Sequence, residues 1–168
     1  MPRRILAIWF ARLSVDRWRR ALAPDAPEDS APTALILETA HGPRITAAND
    51  AGLAAGARAG MLLADARALC PDLAAVLADP AGDLAALEKL ALWAQRWGPW
   101  SALDPPDGLL VDVTGAAHLF GGEDALLADV TGGIKDPEQA RAVARTAGGF
   151  DIDEVADRGR DARLALPR

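Results

Sequence analysis

Two stretches of the chain are apolar without alternation: "ILAIW" at residues 5–9 and "GLLVDV" at 108–113, the latter interrupted only by Asp112. A strand with one wet face alternates apolar and polar side chains, so an unbroken run reads as a strand covered on both faces. Two such strands need helices packed on their sheet, which makes the fold class α/β (α+β). The 168 residues suffice for one domain with a real core and are marginal for two.

The intervening sequence supplies the other layers. "ARLSVDRWRRAL" predicts a short helix capped by Ser14, with its arginines turned outward. The Pro- and Asp-rich "APDAPEDSAPT" is an exposed loop. Residues 34–38 and 44–49 form an antiparallel hairpin around Gly42-Pro43. Two small helices are expected near 50–57 and 62–69, where Gly52, Gly56 and Gly60 recur every four residues and suggest close helix packing. A short strand at 73–77 precedes the longest helix, which starts at Asp79-Pro80 and runs to about Trp97. Its expected buried face is Leu84, Leu87, Leu90, Ala91, Ala94 and Trp97. "GPWSALD" leads by a strand into the second buried run, "AAHLF" makes a helical turn, and Glu123 and Asp124 suit the positive end of a further helix. After Val130 large apolar residues become scarce and charges dense. The reading is therefore a structured part over 1–130 and an atypical tail over 131–168, weakly ordered or partly helical, with a helix from Asp136-Pro137 to Thr146 and weak order beyond Gly149.

The net charge of −6 argues against a chain whose main task is gripping nucleic acid. Arg3, Arg4, Arg12, Arg17, Arg19 and Arg20 cluster near the start all the same, and are read as a solvated helix face. The single cysteine, Cys70, excludes an internal disulfide framework and a CxxC metal knuckle, and fits a small core residue. The opening "MPRRILAIWFARL" has too short an apolar run, and no cleavage site, for a signal peptide. No apolar segment approaches the ~18–20 residues that span a bilayer. The expectation is a soluble, cytoplasmic protein without membrane contact.

Acidic residues crowd the second buried strand: Asp104 and Asp107 before it, Asp112 within it, Glu123 after it. Carboxylates delivered to strand ends hold magnesium in many phosphoryl-transfer enzymes, but a two-metal site needs them from separate strands, around ions ~3.5–4 Å apart. The first strand ends in Trp9, Phe10 and Ala11, and Asp16 lies a turn or more into the next helix. Asp107 and Asp112, five residues apart in an extended chain, point to opposite faces. One carboxylate holds magnesium poorly, since the ion requires several oxygens. There is no GxxxxGK[ST] or GxGxxG phosphate loop. His41 and His118 lack a third zinc ligand, and nothing marks Ser14 or Ser101 as a nucleophile beside them.

Four phrases, "RRILAIWFARLSVDRWRR", "AANDAGLAAGARAGMLLADARALCPDL", "ALEKLALWAQRW" and "DPPDGLLVDVTGAAHLFGGEDALL", follow one another in an order and spacing that resemble the N-terminal part of the Y-family DNA polymerases, within them the ImuB branch, over about residues 3–130. The resemblance implies a partial palm containing both buried strands, with the small helices as inserted fingers. Active members carry a carboxylate at the end of the first strand, where Trp9–Ala11 stand here. Their Asp-Glu pair before the second strand reads Asp107-Gly108, leaving Asp107 as a vestigial metal-ligand position. Their triphosphate-holding Tyr and Arg fall near Asp50 and Leu53. The resemblance thus implies no catalytic, cofactor-binding or metal residues. It implies an inactive accessory protein of DNA-damage-induced translesion synthesis, working with an error-prone polymerase, a RecA-like protein and a sliding clamp, and with DNA as a further contact. The alternative is an active DNA-directed nucleotidyltransferase that uses magnesium on Asp107 and Asp112, with Asp104 or Glu123 recruited as a third ligand. A further alternative is a gene remnant without activity of its own, since the palm strand, thumb and clamp-binding tail of the family are not recognisable after Val130. An unfinished palm would leave the edges of "ILAIW" and "LLVDV" uncovered.

Overall fold

In chain order the elements are β1 (Arg4–Trp9), α1 (Leu13–Leu22), β2 (Thr33–Leu37), β3 (Arg44–Ala48), α2 (Asp50–Ala54), α3 (Leu63–Leu69), β4 (Ala74–Leu77), α4 (Pro80–Ala94), β5 (Trp100–Asp104), β6 (Gly108–Asp112), a 3-10 turn at Ala117–Phe120, α5 (Glu123–Gly133) and β7 (Ala147–Gly148). They are seen in a computed structural model that describes residues 4–133 and, as backbone, residues 147–148. Two units divide the chain: Met1–Ala11 with Leu84–Arg168, and Arg12–Asp83. The expected helix over 136–146 and the stretch beyond Gly149 lie outside the described residues. The boundary expected after Val130 lies inside α5.

Both unalternating runs are strands of one sheet in the first unit, ordered β5-β6-β1-β7. Ile5 to Ile8 are each at most 1% exposed, and Leu109 and Val111 are fully buried. All described pairs of this sheet are antiparallel, with Ile5 opposite Asp112 and Trp9 opposite Gly108. The edges expected to be bare are partly covered. β6 is central, and the outer side of β1 is paired at Arg4 and Ile5 by the backbone of Gly148 and Ala147.

Asp79 starts α4 as expected: its Oδ1 accepts from the Gly82 amide at 2.9 Å, while Pro80 takes the first helical position, where no amide is needed. The buried stripe differs from the expected one. Leu84 is 41% exposed, and the first-turn position is filled by buried Asp83, whose carboxylate Arg17 holds at 2.6 Å. From there the stripe runs through Leu87, Ala91 and Ala94 to Trp97, just past the helix end. Trp97 donates its Nε1–H to Asp129 Oδ2 at 2.7 Å and meets the Trp93 ring edge-on at 4.6 Å, which ties α4 to α5. Gly98 is a close-approach glycine: a Cβ there would lie 2.1 Å from the Asp112 carbonyl oxygen.

The second unit has a three-stranded sheet, β3-β2-β4, with the expected antiparallel hairpin and a parallel β2–β4 pair. Ala34, Ile36, Ile45, Ala48, Ala57, Leu63, Ala66 and Leu73 form its core, and Cys70 packs against it half-buried. The expected Ser14 cap is not formed. Arg12 occupies the cap position of α1 without a side-chain cap bond, and Ser14 is inside the helix. The four-residue glycine spacing does not mark one packing seam. A Cβ on Gly52 would lie 2.9 Å from the Thr33 carbonyl, whereas Gly56 and Gly60 have φ of +101° and +84°, a left-handed backbone that favours glycine. No helix among the described residues is long and apolar enough to cross a membrane.

Candidate functional site

The antiparallel register brings the C-terminal end of β1 beside the start of β6. The Phe10 amide donates to the Asp107 carbonyl at 2.8 Å, continuing the ladder one step past Trp9 and Gly108. Asp104, 5% exposed, closes β5 opposite Gly108, so Asp104 and Asp107 flank the same tight β5–β6 turn. On the β1 side of that end stand Trp9 and Phe10, 6% and 7% exposed, then Ala11. The first strand was expected to end without an acid, and the register brings that end beside Asp107.

Asp112 belongs to the other end of the sheet. It pairs with Ile5, and its Oδ1 accepts from the Thr114 amide at 3.0 Å, turning the chain out of β6. Five extended residues separate it from Asp107, about 17 Å along the strand. Glu123 shares the Asp112 end, where its Oε1 lies 3.1 Å from Arg4 Nε, and Arg4 donates its backbone amide to Thr114 Oγ1 at 2.9 Å. The four acidic residues thus fall into two pairs at opposite sheet ends.

A pair of divalent cations, as the alternative of an active nucleotidyltransferase needs, requires oxygens converging from both central strands. The donors at the Asp107 end do not fit that requirement, because β1 offers indole, phenyl and methyl groups there. Among the described residues no group of three or more His, Cys, Asp and Glu side chains is gathered to hold a metal ion. The remaining candidates are dispersed. Ser101 Oγ donates to the Ala91 carbonyl at 3.1 Å, the backbone amide of His41 donates to Thr39 Oγ1 in the hairpin turn, and His118 sits in the 3-10 turn. Asp50, expected from the resemblance to lie near a triphosphate-holding position, opens α2 and accepts from Arg12 Nη1 at 2.7 Å.

Arg12, Arg17 and Arg19 are not the solvated face expected of them, whereas Arg20 is exposed as expected. Arg12, with a side chain 12% exposed, meets Asp16 at 3.3 Å, Asp29 at 2.6 Å and Asp50 at 2.7 Å. Arg17 holds Asp83 at 2.6 Å and Asp79 at 3.1 Å, and Arg19 holds Asp29 at 2.5 Å. Five carboxylates therefore surround three guanidinium groups. Burial works against the Arg12 charge, but the bond it donates to Asp29 and the fields of Asp16 and Asp50 outweigh it and raise its pKa. Burial raises the Asp16 carboxyl above its ordinary value despite Arg12. At Asp29 burial also opposes ionisation, yet Arg12 and Arg19 prevail and the pKa falls. Asn49, 2% exposed, is the polar counterpart. Its Oδ1 accepts from the Thr33 and Gly52 amides at 2.9 and 2.8 Å, and its Nδ2 donates to the Asp29 and Ala31 carbonyls at 2.9 and 2.8 Å. The sequence held faint signals for both: the four-residue Arg12/Asp16 spacing, and an Asn directly before a helix that opens with Asp50.

These features define a class. The fold is that of the Y-family DNA polymerase palm and fingers: it matches the insertion ternary complex of Dbh DNA polymerase with a TM-score of 0.72 at 16% identity, over 92% of this chain and 46% of that one. DinB from Sulfolobus solfataricus matches with a TM-score of 0.62 at 14% identity, over 92% of this chain and 45% of that one. Within that class the chain belongs to the impB/mucB/samB family, which it matches over residues 28–146. It is 48% identical to Protein ImuB of Caulobacter vibrioides over 92 residues, 53% of this chain. That match spans 20% of the Caulobacter protein, so the chain spans about a fifth of the curated relatives it matches.

Proposed function

We propose that this chain serves damage-induced translesion DNA synthesis as a polymerase-like accessory factor and transfers no nucleotides itself. One observation carries the reading: where carboxylates from two strands have to converge, Asp107 is bonded through its backbone to Phe10, beside buried Trp9. Filling that corner with apolar side chains keeps the strand junction intact and supplies no oxygen from β1 for a metal. The similarity to Protein ImuB supports the process, and the fold supports a surface built for macromolecular contact. Its partners on this reading are an error-prone polymerase, a RecA-like protein and a sliding clamp, with DNA as a further contact and no cofactor of its own.

The nucleotidyltransferase reading retains one favourable observation, that Asp104 and Asp107 share a sheet end. It draws nothing from Asp112 or Glu123, which belong to the opposite end. Primer extension with magnesium and all four deoxynucleotides distinguishes the two. The expected result is no incorporation by wild type. Incorporation that disappears on Asp107→Ala overturns the proposal and establishes the enzyme.

A further inference from the structure

Arg12, Arg17, Arg19 and Arg20 fall within nine residues of one helical stretch, a density of guanidinium groups suited to a phosphate chain. The connection from α1 to β2 lies over part of it. Residues 23–32 carry Asp25, Glu28 and Asp29 among Pro24, Pro27 and Pro32 and are mostly exposed. Asp29 reaches back to α1 with one oxygen on each of two arginines: Oδ2 lies 2.6 Å from Arg12 Nη2, and Oδ1 lies 2.5 Å from Arg19 Nη1. Two guanidinium groups converging on separate oxygens of one anion is also how arginines take hold of a phosphate. The Asp29 side chain is 41% exposed, so water and competing anions reach the bridge. Asn49 anchors this connection through the carbonyls of Asp29 and Ala31, its Nδ2 also lying 3.5 Å from Asp29 Oδ1, while the carboxylate reaches α1 through Arg12 and Arg19.

We propose that residues 24–32 form an acidic strap in which Asp29 occupies a phosphate site of α1, and that displacing the strap uncovers a surface for single-stranded nucleic acid centred on Arg12 and Arg19. The strap reconciles a guanidinium-rich helix with an acidic chain: an internal anion holds the site, and a nucleic acid binds only by replacing it. This holds whether or not the sheet end carries any chemistry, since every residue involved lies within Arg12–Asp83.

The test is fluorescence anisotropy of a labelled single-stranded oligonucleotide of about 20 nucleotides against the full chain, across a salt series. Asp29→Asn keeps the size and removes the charge. It is expected to bind about tenfold more tightly than wild type at about 50 mM salt, with a salt slope steeper by about 0.7 for each arginine released. Adding Arg19→Gln to Asp29→Asn is expected to abolish the gain. Asp50→Asn leaves the strap in place and gives a smaller gain through Arg12 alone. The proposal is overturned if folded Asp29→Asn binds no more tightly than wild type, or if its gain survives Arg19→Gln. Loss of fold in Asp29→Asn also overturns it, because the carboxylate is then part of the framework and not a displaceable strap.

Discussion

Replacing Arg12 by glutamine removes the cation that three carboxylates share, and the structure sets the size of the effect. Asp29 and Asp50 are 41% and 74% exposed, so water takes over much of their solvation, and each loss is worth about 0–1 kcal/mol. Asp16 is different: its side chain is 8% exposed, and removing one partner of a buried pair destabilises by about 3–5 kcal/mol. The 3.3 Å Arg12–Asp16 contact is long, which favours the low end of that range. Arg12→Gln is therefore expected to destabilise by about 3–4 kcal/mol, a large share of the roughly 5–15 kcal/mol that holds a domain folded. Equilibrium urea unfolding reads this as a midpoint lowered by about 1.5–2 M at a slope near 2 kcal/mol/M.

The Arg12 variant also has a defined pH signature. Burial already raises the folded-state pKa of Asp16, and without Arg12 it rises further. A carboxyl whose folded pKa exceeds its unfolded value favours the folded state below the unfolded pKa, and that contribution is lost as pH rises through the folded value. The deficit of Arg12→Gln is therefore greatest near neutral pH and shrinks on acidification toward the unfolded carboxylate value of about 3.9. Asp29 titrates in the opposite sense, because its lowered pKa adds stability above the unfolded value that disappears only in stronger acid. Arg12→Gln with Asp16→Asn is expected to recover about half of the loss, since a buried amide costs less than a buried unpaired carboxylate. A midpoint change equivalent to less than about 0.5 kcal/mol, or a double variant no more stable than the single, refutes this account of Arg12.

Three further outcomes follow from local geometry. Asn49→Ala leaves two carbonyls and two amides without their partner and is expected to destabilise by about 3 kcal/mol, more than the 0.5–2 kcal/mol of an ordinary helix cap, as read by urea unfolding. Gly98→Ala drives a Cβ to 2.1 Å from a backbone oxygen, so a loss of at least about 2 kcal/mol is expected by thermal melting, and a wild-type midpoint refutes the close approach. Trp97→Phe keeps an aromatic ring but loses part of the buried indole and the bond to Asp129, which is exposed. It is expected to cost about 2–3 kcal/mol in the same melt, with Asp129→Asn in that background adding almost nothing.

Much of the fold was legible because the signals were local. Ile5–Ile8 and Leu109–Val111 have no polar alternation, Gly42-Pro43 marks a turn, and Asp79-Pro80 marks a helix start, so the strands, hairpin and long helix fall where expected. Relations between distant residues were not legible. Nothing near Arg12 announces Asp29 or Asp50, which are 17 and 38 residues away, and so the arginines read as a wet face. Asp83 displaced Leu84 from the buried stripe because Arg17, 66 residues earlier, holds its carboxylate. The need for glycine at 98 resides in the carbonyl of residue 112. Of the candidate site, the absence of an acid at Trp9–Ala11 was visible in the sequence. The antiparallel register that sets those residues beside Asp107, and Asp112 at the far end, was not, because an apolar run does not declare the direction of its neighbour.

The central claim concerns the donors where β1 meets β6, and manganese binding tests it most directly. Manganese stands in for magnesium and reports its bound fraction by electron paramagnetic resonance, with deoxynucleotide present to complete any site. The expected result is no saturable binding that depends on Asp104 or Asp107. Two equivalents of manganese held by the wild-type chain and lost on Asp107→Ala would contradict it.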